Sequence, residues 1–166
     1  DMDKTIYAKG SGPADGHPQL MSSYRAELGG LIAILYTIYR ICQFHQVTSG
    51  KFKYHCDNKG VLTNVFSKKP TSITQFLQAD YDLVQVAKTL VTLIPATIVA
   101  EWVKGHYKGD YREHKHDLND KANALATAFN ANPPPTLKPI KMPCTIPGYA
   151  IRLVHDGSTI TNNLYS

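Results

Sequence analysis

The sequence predicts an α/β protein in which helices pack against a small sheet. Two short segments rich in β-forming residues, 51–56 and 96–103, are separated by stretches whose apolar residues recur every three or four positions, the period of a helix. A long helical pattern precedes the first β segment, and another follows the second. The 166 residues are 43% hydrophobic, which is enough to form the core of one domain of this kind.

The first fifty residues are predicted to form a short strand, a loop and a long helix. The strand covers residues 5–8 and ends in a glycine- and proline-containing loop at 10–13. Ser22 and Ser23 can cap a helix over 24–44, because serine hydroxyls accept hydrogen bonds from the first free amides of a helix. The expected buried stripe of that helix consists of Leu28, Leu31, Ile32, Leu35, Ile38 and Ile41.

Strands and helices are predicted to alternate over the rest of the domain. Residues 51–56 alternate as a strand does, with Phe52, Tyr54 and Cys56 on one face. A short helix follows over 60–67, a broken helix over 72–94, a second strand over 96–103, a polar loop over 107–117 and a last helix over 119–130. The expected core positions of the helices are Val61, Leu62, Val65, Phe66, Leu77, Leu83, Val84, Ala87, Leu90, Ile94, Ala122, Leu125, Ala126 and Phe129.

Proline marks the predicted domain boundary. Six of the ten prolines lie between residues 133 and 147, and consecutive prolines favour an extended segment rather than a helix. We therefore expect a compact domain over 1–132, a linker over 133–147 and an appendage over 148–166. In the appendage, His155-Asp156-Gly157 separates two β-rich runs, 150–154 and 158–161, which predicts a C-terminal β-hairpin.

Composition and charge exclude several classes of protein. Only 19% of residues are charged and 10% are aromatic, which is not typical of a disordered chain. No apolar run is long enough for a membrane span, and the N-terminus lacks the layout of a signal peptide. The three scattered cysteines, Cys42, Cys56 and Cys144, form no metal-binding pair and favour a reducing, intracellular location, whether nuclear or cytoplasmic.

The net charge of +5 is concentrated in one region. Residues 51–69 contain five lysines against a single acid, Asp57. Such a run usually forms a solvated face. A basic excess of this size also permits a nucleic acid as partner without requiring one.

Two acids stand at positions that local structure does not explain. Glu27 lies at the head of the apolar stripe, in line with Leu31, Ile34 and Ile38. A carboxylate there needs a compensating partner or a metal, or it is a first-turn acid that favours the helix dipole or forms a salt bridge. Asp57 follows a strand, at the end where ligands bind in open α/β sheets, or else it caps the next helix.

A histidine follows the second predicted strand. His106 opens the polar loop that also contains His114 and His116. The three histidines could be zinc ligands, but a loop histidine without any role is commoner. Together, Glu27, Asp57 and His106 favour a site for hard divalent cations, since two-metal phosphoryl-transfer sites use carboxylate clusters that hold Mg²⁺ ions about 3.5–4 Å apart.

Four motifs resemble the type 1 ribonuclease H domain, in particular the form found at the C-terminal end of retrotransposon reverse transcriptases. They are SSYRAEL at 22–28, CDN at 56–58, WVKGH at 102–106 and LNDKANALA at 118–126, and they occur in the order of that family. The resemblance covers roughly residues 3–130. It implies a layered ribonuclease H-like fold, with a mixed sheet flanked by helices.

The resemblance also implies an activity and a set of site residues. In that family four carboxylates hold two Mg²⁺ ions that cleave the RNA strand of an RNA–DNA hybrid. By motif, Glu27 and Asp57 match two of these metal ligands, His106 matches the loop histidine that assists product release or proton transfer, and Asn123 stands in place of the fourth acid. The partners implied are an RNA–DNA hybrid and neighbouring reverse transcriptase domains of a polyprotein. The lysines implied to contact phosphates are Lys51, Lys53, Lys59, Lys68, Lys69, Lys104 and Lys108.

Two departures from the family pattern predict weak or no activity. The family begins with a strand that bears Asp-Gly-Ser and supplies the first metal ligand, and this sequence starts after that point. Asn123 keeps an oxygen ligand but lacks the negative charge, and Asp120 is a poorly placed substitute. Asp156, in the sequence His155-Asp156-Gly157-Ser158, could restore the first ligand if the tail occupied the vacant central position.

Three hypotheses follow. The first is a Mg²⁺-dependent ribonuclease H domain from a retroelement, with weak or no activity in these 166 residues. The second is a non-catalytic module of the same fold that binds nucleic acid or tethers other domains. The third is an unrelated α/β protein, which requires that the carboxylates of Glu27 and Asp57 do not converge.

Overall fold

The structure is a computed structural model that describes residues 8–14, 21–69, 73–76, 78–133, 154–155 and 158–159. In those residues the elements are α1 (Ser23–Phe44), β1 (Lys51–Cys56), α2 (Lys59–Phe66), α3 (Ile73–Phe76), α4 (Tyr81–Leu93), β2 (Thr97–Trp102), α5 (His114–Ala131), β3 (Val154–His155) and β4 (Ser158–Thr159). The α/β class is therefore confirmed. The predicted strand at 5–8 lies outside the described residues, apart from Ala8, which is not in a strand.

Helix α1 begins where its serine cap predicts. The Ser22 hydroxyl accepts a hydrogen bond from the Arg25 amide at 2.9 Å. Leu28, Leu31, Ile32 and Leu35 are buried and Ile38 is half-buried, as expected from the stripe. The expectation for Ile41 is wrong, since this residue is 51% exposed and Cys42 is buried instead. Two helical turns from Leu35 lead to position 42, so the 3.6-residue period moves the stripe past position 41.

Strands β1 and β2 form a parallel pair. Their register runs from Lys51 opposite Thr97 to Cys56 opposite Trp102, and the bounds predicted for β1 are confirmed. Phe52 and Tyr54 are half-buried and Cys56 is buried, on the face toward the helices. Because the strands are parallel, their carboxyl ends meet at one edge. The mixed sheet of a ribonuclease H-like fold remains a prediction, since the described strands of the domain form this parallel pair.

The core lies between the apolar face of β1–β2 and helices α1, α2 and α4. Asn58 caps α2 by accepting hydrogen bonds from the amides of Gly60 and Val61 at 2.9 and 3.3 Å. The predicted break within 72–94 is confirmed, because α3 and α4 are separate helices. Helices α2 and α4, with the residue that follows α4, contribute these buried residues, most of them predicted from the helical period: Val61, Val65, Leu83, Val84, Val86, Ala87, Leu90 and Ile94. Position 77 lies outside the described residues.

A buried ion pair fastens α1 to α4. Arg25 is fully buried, and its guanidinium donates to Asp80 at 3.0 Å and to both oxygens of Asp82 at 3.0 Å. Asp80 has a left-handed backbone (φ 65°), directly before α4. A buried charge is tolerated when it is paired and hydrogen-bonded, so these carboxylates allow Arg25 to lie in the core.

Helix α5 begins five residues earlier than predicted, at His114. Glu113 and His116 form a capping box, in which the Glu113 amide donates to His116 Nδ1 at 3.1 Å. This reciprocal pair starts the helix inside the predicted polar loop. The inward orientation expected for Ala122 and Ala126 is wrong, since both are exposed. The one buried residue of α5 is His116, and the other two predicted core positions, Leu125 and Phe129, are half-buried.

The described part of the tail consists of two strands of two residues each. β3 pairs antiparallel with β4, as expected for a C-terminal hairpin, although position 155 belongs to the strand rather than to the turn. Residues 134–153 and 156–157 lie outside the described residues, so the linker and Asp156 remain predictions. In the described part of the chain, no helix is long and apolar enough to cross a membrane.

Candidate metal centre

Glu27, Cys56 and Asp57 converge at the carboxyl edge of the parallel pair. Each offers a ligand atom, a carboxylate oxygen or the thiol sulfur, and these three atoms lie within 4.8 Å of one another. Glu27 comes from the first turns of α1, Cys56 ends β1, and Asp57 follows it. The convergence of Glu27 and Asp57 that the resemblance implies is therefore present. The third hypothesis required that these carboxylates stay apart, and this requirement is not met.

Three neighbours contact Asp57, one at its backbone and two at its carboxylate. The Trp102 indole N–H donates to the Asp57 backbone carbonyl at 3.0 Å, which joins the ends of the two strands. The Asn119 side-chain amide, from α5, donates to Asp57 Oδ2 at 3.2 Å. Gly105 approaches closely, since a Cβ at that position would lie 2.7 Å from Asp57 Oδ2. Only a glycine leaves room for the carboxylate in this place.

The cluster is electrostatically unfavourable without a cation. Burial raises the pKa of Glu27, and the nearby charge of Asp57 raises it further, against hydrogen bonds from Asn58 and Cys56 that lower it. Burial likewise raises the pKa of the Cys56 thiol. Both groups therefore resist ionisation, and a divalent cation between them would offset that cost.

His106 lies near this edge but not within the cluster. It is exposed, has a left-handed backbone (φ 48°), and follows Gly105 directly in the turn after β2. The zinc hypothesis for His106, His114 and His116 is not supported, because among the described residues these side chains form no common ligand group. His116 is buried instead, and it stacks on Tyr107 with ring centroids 4.2 Å apart.

Asn123 lies on α5, the helix that reaches the cluster through Asn119, and its place in the site remains a prediction. It is half-buried on α5, one turn beyond Asn119, the residue of this helix that contacts Asp57. Asp120 is held elsewhere, since its Oδ2 accepts from the Arg112 guanidinium at 2.7 Å. Asp120 is therefore held by Arg112, as expected for a poorly placed substitute.

The lysines named by the resemblance are all exposed. Lys59 stands over the Trp102 ring at 4.6 Å from its centroid, next to the metal-binding edge. Lys104 lies between β2 and His106, and Lys53 is 3.8 Å from Glu101. The other exposed lysines of the set are Lys51, Lys68, Lys69 and Lys108. Their exposure suits either phosphate contacts or a solvated face.

Sequence reasoning missed Cys56 and Asn119 as members of the site. A signal for Cys56 was present, because strand alternation placed it on the face toward α1, where Glu27 heads the apolar stripe. No local pattern indicated Asn119, since its contact with Asp57 spans 62 residues. Asn58, not Asp57, caps α2, so the capping alternative for Asp57 is wrong.

No family model, no curated protein and no solved structure shows a significant match to this chain.

Proposed function

We propose that this protein is a ribonuclease H-type endonuclease domain of a retroelement reverse transcriptase, acting on the RNA strand of RNA–DNA hybrids. The observation that carries the proposal is the convergence of Glu27 and Asp57 beside the carboxyl ends of two parallel strands. The four motifs of the resemblance supply the reaction class. Mg²⁺ is often held by only one or two carboxylates together with waters, so the two acids fit this cation.

Each residue has a specific task in this proposal. Glu27 and Asp57 bind the cation, which when bound supplies an activated water and neutralises charge on the scissile phosphate. Asn119 and Gly105 hold the Asp57 carboxylate in place. His106, exposed in the turn next to Gly105, lies outside the cluster and is free to meet the product or a leaving oxygen.

The exposed lysines provide binding to the nucleic acid. Lys59 follows the end of β1 and Lys104 follows the end of β2, so both come shortly after the strand ends that form the metal-binding edge. Their charges can neutralise phosphates. Such contacts are independent of base sequence and weaken as salt displaces them. RNA is distinguished from DNA through its 2′-hydroxyl groups.

We expect the activity to be weak. Among the residues that the structure describes, two carboxylates converge, whereas the family uses four, and Asn123 offers an amide where an acid would be expected. Asp120 is paired with Arg112 and cannot substitute without losing that ion pair. The Mg²⁺ site is therefore less negative than a complete one.

A second function, a binding or tethering module without catalysis, is favoured by the same deficit. Asn123 stands where the family has an anionic oxygen, and the Cys56 thiol beside the two acids is a poor Mg²⁺ ligand. A module of this kind would retain the lysine surface and bind hybrid without cutting it.

Cleavage of a labelled RNA–DNA hybrid separates the two functions. The full chain, N123D and E27Q are incubated with hybrid in Mg²⁺, with duplex DNA and duplex RNA as substrate controls and E101Q as a matched surface variant. We expect slow cleavage that N123D increases and E27Q abolishes, while E101Q cleaves like the original chain. Hybrid binding without cleavage in all variants supports the module. If the protein neither binds nor cleaves the hybrid, the proposal is refuted.

A further inference from the structure

The thiol of Cys56 occupies a ligand position that a magnesium site does not need. Its Sγ lies 3.7 Å from Glu27 Oε2, and the residue is 6% exposed. The sulfur and the two carboxylates of Glu27 and Asp57 together form one O, S, O group. Sulfur is a poor ligand for Mg²⁺ and a good one for Zn²⁺, Co²⁺ and Cd²⁺.

The geometry of this group suits a tetrahedral cation. With Zn–S near 2.3 Å and Zn–O near 2.0 Å, a tetrahedral angle places sulfur and oxygen about 3.5 Å apart. The observed distance between Cys56 Sγ and Glu27 Oε2 is 3.7 Å. The other two pairs of ligand atoms lie within 4.8 Å, so the three side chains would move closer together around such a cation.

One hydrogen bond to the sulfur favours a metal-bound thiolate, against the burial that raises the pKa of the free thiol. The Asn58 backbone amide donates to Cys56 Sγ at 3.4 Å, and a hydrogen bond of this kind stabilises negative charge on sulfur. On the other side of the cluster, Gly105 leaves the Asp57 carboxylate free of steric contact from a side chain. The amide contact is independent of the two acids, and it is directed at the ligand atom itself.

We infer that Glu27, Cys56 and Asp57 bind a thiophilic divalent cation of the zinc class, with water as the fourth ligand. The inference rests on the proposed function in one respect, because both use the carboxylates of Glu27 and Asp57 as metal ligands. Binding forms a metal–sulfur bond and breaks the S–H bond, whose proton passes to solvent. No oxidation or reduction is involved.

Cobalt provides a direct test, since Co²⁺ bound to a thiolate gives a near-ultraviolet charge-transfer band. The full chain with C42S and C144S contains Cys56 as its single cysteine, and we expect it to show the band when Co²⁺ is added and to lose it when Zn²⁺ displaces Co²⁺. The matched variant C56S retains the other two cysteines and should show no band. Cys42 is a suitable control because it is buried, as Cys56 is, but far from the site. It lies on α1, fifteen residues or about 22 Å along the helix from Glu27.

Affinities extend the test beyond spectroscopy. We expect C56S to bind Zn²⁺ at least about tenfold more weakly and Mg²⁺ within about twofold of the original chain, because only the soft ligand is lost. E27Q keeps the thiol, so it should retain the cobalt band at lower affinity. That variant tests the site even if C56S does not fold, which far-ultraviolet circular dichroism would reveal.

Two results would overturn the inference, and both can be distinguished from failure of the proposed function. Cobalt binding without the band, or equal Zn²⁺ affinity in folded C56S, means that the thiol is not a ligand. Mg²⁺-dependent cleavage of hybrid could still occur in that case. Conversely, a cobalt band that depends on Cys56, in a protein that neither binds nor cleaves hybrid, supports the inference and contradicts the proposed function.

Discussion

Replacing Glu27 by glutamine should stabilise the protein when no divalent cation is present. The ligand oxygens of Glu27 and Asp57 lie within 4.8 Å of each other. Two unit charges at that distance repel by about 0.9 kcal/mol in water and about 3.5 kcal/mol at an effective dielectric constant near 20. Both side chains are partly exposed, so solvent screening favours the lower value, and we expect a gain of about 1 kcal/mol.

The pH dependence of this gain has a definite sign. The pKa of Glu27 is raised in the folded protein, so protonation favours folding, and the carboxylate costs stability as the pH rises from about 4.5 through the raised value. E27Q should therefore match the original chain below pH 4.5 and exceed it at pH 8. Urea unfolding in EDTA, followed by circular dichroism, measures the difference.

A divalent cation should reverse the order of stability. At a cation concentration ten times its dissociation constant, binding stabilises the original chain by about 1.4 kcal/mol, and E27Q loses most of this gain. E101Q is the control, since Glu101 contacts Lys53 and His55 rather than another acid, and its loss should not stabilise the protein. If E27Q is less stable than the original chain in EDTA at pH 8, repulsion within the cluster is not the dominant effect and the reasoning is wrong.

Three further perturbations test other parts of the structure. R25A should lower the free energy of unfolding in urea by about 3–5 kcal/mol, because it leaves buried carboxylates unpaired. The control R40A, on the exposed side of α1, should lower it by less than about 0.5 kcal/mol. Similar losses in the two variants would contradict the role of the buried pair. G105A should weaken divalent-cation binding about tenfold in a calorimetric titration, since its methyl group displaces the Asp57 carboxylate; G30A, which meets no atom of the described residues within 4 Å, should leave binding unchanged and stabilise α1 by about 1 kcal/mol. Burial and the nearby lysines lower the pKa of His55. The free energy of unfolding should therefore fall as the pH drops from about 6.5 through the lowered value, and H55Q should flatten that part of the pH profile. An unchanged profile would show that another group titrates.

Elements governed by local rules were predictable from the sequence. The Ser22 cap, the alternation over 51–56 and the break before α4 each depend on residues close together in the chain. The start of α5 was also local, but the capping box of Glu113 uses a histidine rather than the usual glutamate or glutamine, so the pattern was not recognised. The exposure of Ile41 shows how an error of one residue in helical phase moves a side chain from core to surface.

Contacts between distant segments could not be derived from the sequence. Nothing near Arg25 indicates that Asp80 lies 3.0 Å away, 55 residues further along. The donation from Asn119 to Asp57 depends likewise on how α5 packs against the end of β1. The resemblance implied that Glu27 and Asp57 lie together, and the structure places their ligand oxygens within 4.8 Å of each other, with the Cys56 sulfur in the same group.

The sparse anchoring of α5 has a consequence for how the site can be observed. His116 is the single buried residue in this helix of 18 residues, all of them described. A helix held by so little burial opens locally long before the whole domain unfolds, so its amide protons should exchange with deuterium faster than those of α1 or α4. Each opening breaks the hydrogen bond between Asn119 and Asp57. A ligand that requires the ordered Asp57 carboxylate would slow exchange throughout α5, which makes this helix a reporter of occupancy at the strand edge.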